Sequence, residues 1–166
     1  MRPCVGRSGG HAGVVLALDG RCRAGPAGLV SDCGPGVFLQ GLAVYGPHGA
    51  PLPGPALEWP VVERALRFAE ERRIACCAFL GDACAATFMN PFLEELHTRY
   101  YEPLSEVMPL EELLAGPAVK KLLYMTEPQE IDDVVKPRME RMLAGTSADT
   151  TQAVDSMLEV VPRGAV

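Results

Sequence analysis

The side chains best suited to chemistry in this chain are few and scattered. Its histidines stand at His11, His48 and His97, and its six cysteines at Cys4, Cys22, Cys33, Cys76, Cys77 and Cys84. They contain no Cys-x-x-Cys pair and no Cys/His spacing of the zinc-binding kind. His97 reads as a packing or capping residue beside Tyr100 rather than a metal ligand. An even cysteine count argues for disulfides only in a short secreted chain, and Cys76-Cys77 lies inside an apolar run. The expectation is therefore buried thiols in a reducing compartment. Adjacent carboxylates occur at Glu94-Glu95, Glu111-Glu112 and Asp132-Asp133. Neighbours on a helix diverge around its axis, so these pairs read as solvated faces and not as shared acid–base sites. Gly6-Arg7-Ser8-Gly9-Gly10 is rich in glycine but lacks the Gly-Lys-Ser/Thr ending that cradles nucleotide phosphates. Trp59 and Phe68 either form an aromatic platform for a sugar or pack in the core.

The elements that must carry these groups follow from periodicity and turn chemistry. Ala12–Leu18 is a short helix stopped by Asp19-Gly20. Val37–Tyr45 is a strand running into the Gly46-Pro47-His48-Gly49 turn. Val61, Ala65, Leu66, Phe68 and Ala69 recur at helical spacing after Pro60, with Arg72 and Arg73 at the negative end of the helix dipole. Ile74–Leu80 and Cys84–Phe88 flank Gly81-Asp82-Ala83 as a pair of strands. Short helices are expected at Pro91–Arg99 and around Glu111–Leu114, and a strand at Val119–Met125. Thr126 and Gln129 have capping-box spacing and open a helix that buries Ile131, Val134, Val135, Met139, Met142 and Leu143. Pro137 predicts a kink or restart in it, and Gly145 its end. Gln152–Val154 and Met157–Val161 complete the set as two short strands. Hairpins mixed with helices define an α+β fold: a mostly antiparallel sheet with helices on one face.

Composition narrows the function classes. A chain of 166 residues is long enough for one domain with a real core. A formal charge of −6 and the lack of any Lys/Arg run argue against a nucleic-acid surface, yet leave room for a phosphorylated small molecule in a local positive pocket. No stretch approaches the roughly 20 apolar residues of a membrane span. Arg2 and Arg7 precede the apolar Ala12–Leu18, but that stretch is short, ends at Asp19 and has no cleavage site, which argues against a signal peptide.

Four segments in order carry a resemblance to a known family. They are Pro35-Gly36-Val37-Phe38-Leu39-Gln40-Gly41-Leu42-Ala43-Val44-Tyr45-Gly46, Leu96-His97-Thr98-Arg99-Tyr100-Tyr101-Glu102-Pro103, Lys121-Leu122-Leu123-Tyr124-Met125, and the stretch from Gln152 to Gly164. Together they resemble the haloacid-dehalogenase-like (HAD) hydrolases, in the Cof-type, sucrose-phosphatase-like sugar phosphatase branch with its plant and algal members. The resemblance implies an α+β cap inserted in a Rossmann-like core, with residues 1–35 as a remnant of that core, 36–161 as the cap domain and 162–166 as a truncated return. It implies a magnesium-dependent phosphatase acting on a small phosphorylated metabolite, a sugar phosphate or one like mannosyl-phosphoglycerate.

Pro3-Cys4-Val5-Gly6-Arg7 aligns with the family's second motif, where Val5 replaces a hydroxyl residue. A valine donates no hydrogen bond to a phosphoryl oxygen, and losing such a donor costs roughly 3–4 kcal/mol at comparable sites. Leu16-Ala17-Leu18-Asp19-Gly20-Arg21 only faintly resembles the nucleophile loop, since Ala17 stands where the nucleophile belongs and Arg21 where a threonine belongs. The nucleophilic aspartate would precede Met1, and the catalytic lysine and metal-binding carboxylates would follow Val166. The resemblance thus assigns no catalytic and no metal-binding residue here, and leaves Arg7, Gln40 and Gly41 as substrate-binding positions. Arg7 either meets a phosphate or sugar or is a solvated arginine; Gln40 either binds a sugar hydroxyl or lies in register on a solvated strand face. The expected chain is an inactive cap with Mg2+ implied only for the whole family, no nucleic-acid or membrane partner, and self-association through its uncovered face. The alternative is a non-catalytic binding module derived from an orphan cap. Reduced cysteines place either form in the cytoplasm or the plastid stroma.

Overall fold

A six-stranded sheet, with the longer helices on one side and a single helix on the other, organises the chain. The computed structural model describes residues 36–46, 51–81 and 83–164. Ala12–Leu18, Arg7 and the whole expected core remnant lie outside the described residues. The strands are β1 (Gly36–Phe38), β2 (Ala43–Tyr45), β3 (Pro51–Leu52), β4 (Ala75–Phe79), β5 (Cys84–Ala86), β6 (Glu106–Val107), β7 (Lys121–Met125), β8 (Ala148–Val154) and β9 (Met157–Pro162). The helices are α1 (Trp59–Arg72), α2 (Pro91–Thr98), α3 (Leu110–Ala115), α4 (Pro128–Glu130) and α5 (Lys136–Leu143).

The large sheet has the order β6-β5-β4-β7-β9-β8, and β1-β2-β3 form a small second sheet. Every neighbouring pair of the large sheet is antiparallel except β5 and β6, which run parallel. The α+β class expected from the sequence is the class observed. The register pairs Cys76 with Tyr124 and Tyr124 with Leu158 across β4, β7 and β9. Cys76, Ala78, Leu122, Tyr124, Leu158 and Val160 fall in one core cluster together with side chains of α1, α3 and α5. Ala75, Cys77, Phe79, Leu123, Met125 and Met157 fall in a second cluster with Leu93 and Leu96 of α2. Covering both faces makes the central strands almost wholly apolar, so they lack the alternation of a half-exposed sheet.

Helix α1 buries Val61, Val62, Ala65, Leu66, Phe68 and Ala69, and Pro60 occupies its first turn, where a missing N–H costs nothing. It ends on Arg73 at φ +58°, and the amides of Arg73 and Ile74 return to the carbonyls of Glu70 and Ala69. This is the left-handed helix ending that glycine usually supplies. Here the cap is an arginine, whose guanidinium lies 4.4 Å from the centre of the Phe88 ring. Helix α2 begins at Asn90, whose side chain accepts from the Leu93 amide at 3.1 Å.

Four local expectations change. Val37–Tyr45 is not one strand: it folds back on itself through a 3-10 turn at Leu39–Gly41, so that Gly36 pairs with Tyr45. Leu39 at φ +50° and Gly41 at φ +97° make that reversal, and Gly41 is the residue type suited to it. The capping box at Thr126 and Gln129 does not form, because the helix starts two residues later, at Pro128. Thr126 Oγ1 instead donates to Glu130 Oε2 at 2.5 Å, and Gln129 Nε2 to Asp133 Oδ2 at 2.6 Å. The interruption expected at Pro137 appears as a π-helical segment, Ile131–Val135, joining α4 to α5. A widened turn upstream accommodates a ring that would otherwise collide with the carbonyl four residues back. Finally, β3 and β6 have only two residues each, too short for periodicity to reveal, and β8 starts four residues before the expected strand.

Candidate functional site

Two constellations on this scaffold have the chemistry to attract attention. The first lies on the α2 side of the sheet. Lys121 on β7 donates to Glu159 Oε1 on β9 at 2.7 Å, with both residues buried. The Lys121 ammonium also sits 4.6 Å from the centre of the Phe79 ring on β4. Glu102 approaches from the segment after α2, which is held by His97 Nδ1 against the Glu102 carbonyl at 2.7 Å and by the Glu102 amide donating to Leu96. Burial raises the Glu102 carboxyl above the ordinary carboxylate range; Lys121 opposes the shift and Glu159 adds to it. Glu102 Oε2 and Glu159 Oε2 are both buried without a hydrogen-bond partner. Nearby, Cys77 Sγ lies 3.4 Å from Ser105 Oγ. The Cys84 thiol is pushed up by its hydrogen bond with Cys77 and by burial, and the Cys76 thiol by burial. Cys76, Cys77 and Cys84 are free, buried thiols, as expected from the sequence.

Magnesium does not suit this cluster. Among the described residues no group of three or more His, Cys, Asp or Glu side chains comes together to hold a metal. The positive charge beside the two carboxylates is supplied by Lys121 itself. A buried ammonium with a short carboxylate contact and an aromatic ring on its other side is a structural pin between strands.

The second constellation lies on the opposite side of the sheet. Helices α1 and α5 turn their apolar faces inward and their polar faces outward. Between them runs a groove of about 390 Å3 lined by Arg64, Arg67, Phe68, Glu71, Arg138, Arg141 and Met142. An adjoining cavity of about 360 Å3 adds Arg72, Asp133 and Val134. All five arginines are exposed. Arg67 forks onto Glu63 Oε1 at 3.0 and 2.8 Å, and Arg64 Nε donates to the Pro60 carbonyl at 3.0 Å. Arg138 lies 6.0 Å from the centre of the Phe68 ring. Arg72 and Arg141 make no ion pair among the described residues. Phe68 is only 6% exposed and meets Tyr124 edge-on at 6.2 Å, so it is groove floor and core at once. This arrangement attracts anions: several guanidiniums, each able to donate in a planar fork, facing two carboxylates.

The substrate-binding positions expected from sequence, Arg7, Gln40 and Gly41, do not meet in either constellation. Arg7 lies outside the described residues, as do His11 and His48. Gln40 and Gly41 occupy the tight turn between β1 and β2, and a Cβ added at Gly41 would meet nothing within 4 Å. Their assignment to a substrate rests on the resemblance alone. Trp59 is 38% exposed at the start of α1 while Phe68 is buried, so Phe68 is a core residue. Sequence reasoning missed the arginine groove because it looked for a contiguous basic run. The available signal was the spacing of Arg64 with Arg67, and of Arg138 with Arg141, each pair one turn apart on an amphipathic helix.

The layers and strand order define an α+β unit whose architecture recurs in solved structures. It is similar to the Thermotoga maritima protein TM0651, with a TM-score of 0.67 and 19% identity over 78% of this chain and 48% of that one. A Plasmodium vivax protein described as HAD/COF-like is similar with a TM-score of 0.64 and 21% identity, over 78% of this chain and 46% of that one. At such identities the likeness speaks for the fold. In sequence, the chain is similar to a curated protein, Endoribonuclease YBEY, chloroplastic, of Arabidopsis thaliana, with 33% identity over 153 residues. That match takes in 92% of this chain and 26% of the relative, so the chain spans about a quarter of the relative's length. No family model matches the chain.

These findings correct the reading made from sequence. Assignment to the Cof-type HAD sugar phosphatases is overturned by the sequence relative, which is named as an endoribonuclease. With it go the family's phosphatase activity and the sugar-phosphate or mannosyl-phosphoglycerate-like substrate. The exclusion of nucleic acid as a partner is overturned on the same ground. The physical reason is that the four resembling segments are mostly apolar strands and turns. Such segments specify a sheet, and one sheet architecture hosts many functions. Among the described residues, no helix is long and apolar enough to cross a membrane.

Proposed function

We propose that this chain serves RNA, as an accessory α+β module of an endoribonuclease-type protein housed in a plastid. The observation that carries the reading is the 33% identity with a chloroplastic endoribonuclease across nearly the whole chain. Two features of the structure support an accessory role. The most buried polar constellation is tied up in the Lys121–Glu159 pin, and the groove between α1 and α5 offers guanidiniums to an anion. Reduced, buried Cys76, Cys77 and Cys84 are in keeping with a stromal environment.

The test is ultraviolet crosslinking of the tagged protein in plastid-bearing cells, with recovered RNA sequenced and organelles fractionated. The expected result is RNA recovered above an untagged control, from the plastid fraction. Background-level RNA refutes the RNA reading, and a protein confined to the cytosol refutes the plastid.

A further inference from the structure

From the geometry of the α1–α5 groove, we infer that it is an RNA-binding surface that reads the phosphodiester backbone and not the bases. The inference rests on the RNA reading proposed above and assigns it a place on the molecule. The chain as a whole is acidic, with a formal charge of −6 and fifteen Lys and Arg residues in all. One third of those fifteen line this groove and its neighbouring cavity, where Glu71 and Asp133 are the lining carboxylates and Glu63, Glu70 and Glu111 act on Arg67 from α1 and α3. A locally positive trough on an acidic body is the electrostatic pattern that concentrates a polyanion at one place. Arg64 with Arg67 and Arg138 with Arg141 present their guanidiniums one helical turn apart, on the two walls of the groove. Consecutive phosphates of a strand can therefore be met from both sides. Arg67 already shares its fork with Glu63 and Arg64 donates to the Pro60 carbonyl, whereas Arg72, Arg138 and Arg141 have no hydrogen bond or ion pair among the described residues, and Arg138 and Arg141 share one wall.

The floor decides what is read. A single-strand binder that engages the bases, with or without sequence preference, offers exposed rings for stacking. Phe68 is buried against Tyr124 and is itself overlain by Arg138, so it offers no such face. Recognition in this groove is therefore ionic and independent of sequence.

The experiment uses the full 166-residue chain and fluorescent single-stranded RNA of mixed sequence, with affinity followed by anisotropy across a salt series. The wild-type chain should bind, and log Kd should rise linearly with log salt. Arg138→Glu/Arg141→Glu should weaken binding at least tenfold and reduce the salt slope by about 1.4, the value for two lost contacts to a single strand. Arg138→Gln/Arg141→Gln should give an intermediate loss. Both pairs are exposed, so their unfolding midpoints should match wild type. Arg99→Glu, at the C-terminal cap of α2 across the sheet, should leave affinity unchanged. If the glutamate double variant binds as wild type does, the groove is wrong and the RNA reading stands. If the wild-type chain binds no RNA even at low salt, both fall. A strong preference among RNA sequences of equal length overturns backbone reading.

Discussion

Replacing Lys121 with methionine tests the pin between strands most severely. Lys121 and Glu159 are 6% and 8% exposed, their contact is 2.7 Å, and Glu159 Oε2 already has no partner. Removing the ammonium leaves a buried carboxylate with neither of its oxygens compensated. Breaking such a pair from one side costs roughly 3–5 kcal/mol. With a urea m-value of about 1.5 kcal/mol/M, the denaturation midpoint of Lys121→Met should fall by about 2–3 M. The companion double variant, Lys121→Met/Glu159→Leu, removes both charges and fills the space with apolar groups beside Phe79. It should return to within about 1 kcal/mol of wild type or exceed it, since buried ion pairs exchange with apolar packing at little net cost. Urea unfolding followed by circular dichroism on all four corners of the cycle measures the coupling directly. A Lys121→Met variant within about 0.5 kcal/mol of wild type, a shift typical of an ordinary surface change, would refute the buried-pin reasoning. So would a double variant no more stable than the single.

Two further outcomes follow from the same core. Tyr124→Phe removes the hydroxyl that donates to the Ala65 carbonyl at 2.8 Å inside the sheet–helix interface. A net loss of about 1 kcal/mol is expected, read as a fall in Tm of roughly 4 °C, and an unchanged Tm contradicts it. Glu102→Gln addresses pH. Because the folded Glu102 carboxyl is raised by burial, the folded chain holds that proton more tightly than the unfolded chain. Stability is therefore lost as pH rises from the ordinary carboxylate range through the raised folded value. The glutamine variant should be more stable than wild type at neutral pH, with the difference shrinking in acid. Parallel stability curves for the two proteins would show that Glu102 does not titrate in this way.

What could be read from sequence was what depends on near neighbours. The apolar spacing of α1, the antiparallel pairing of β4 with β5, and the helix stop at Gly145 are local signals, and the structure follows them. The fold-back at Leu39–Gly41 escaped because its apolar residues also suit one continuous strand. The parallel pairing of β5 with β6 escaped because Glu106-Val107 is too short to carry a pattern. The Lys121–Glu159 contact depends on the register of β7 against β9, in which Leu123 faces Glu159, and no spacing in the sequence reveals it. The arginine groove is the most instructive miss. Its cations come from two helices far apart in the chain, so an acidic composition without a basic run concealed a basic surface. The family resemblance overreached for the related reason that strand segments describe a scaffold and not the chemistry built on it.

The connection from β5 to β7 leaves the sheet at Ala86, builds α2, rejoins the sheet edge as β6, builds α3, and returns at Lys121 beside β4. Lengthening such an excursion is thermodynamically mild, since each doubling of a flexible loop adds only about 0.6 kcal/mol to the cost of closing it. Yet this excursion also supplies Leu93 and Leu96, which pack with Phe92 against the α2 side of the sheet, and the segment that brings Glu102 to Lys121. Divergent versions of this architecture are thus free to change the length and outer surface of the detour, but not to delete it: a chain without it would lay the second apolar layer open to water.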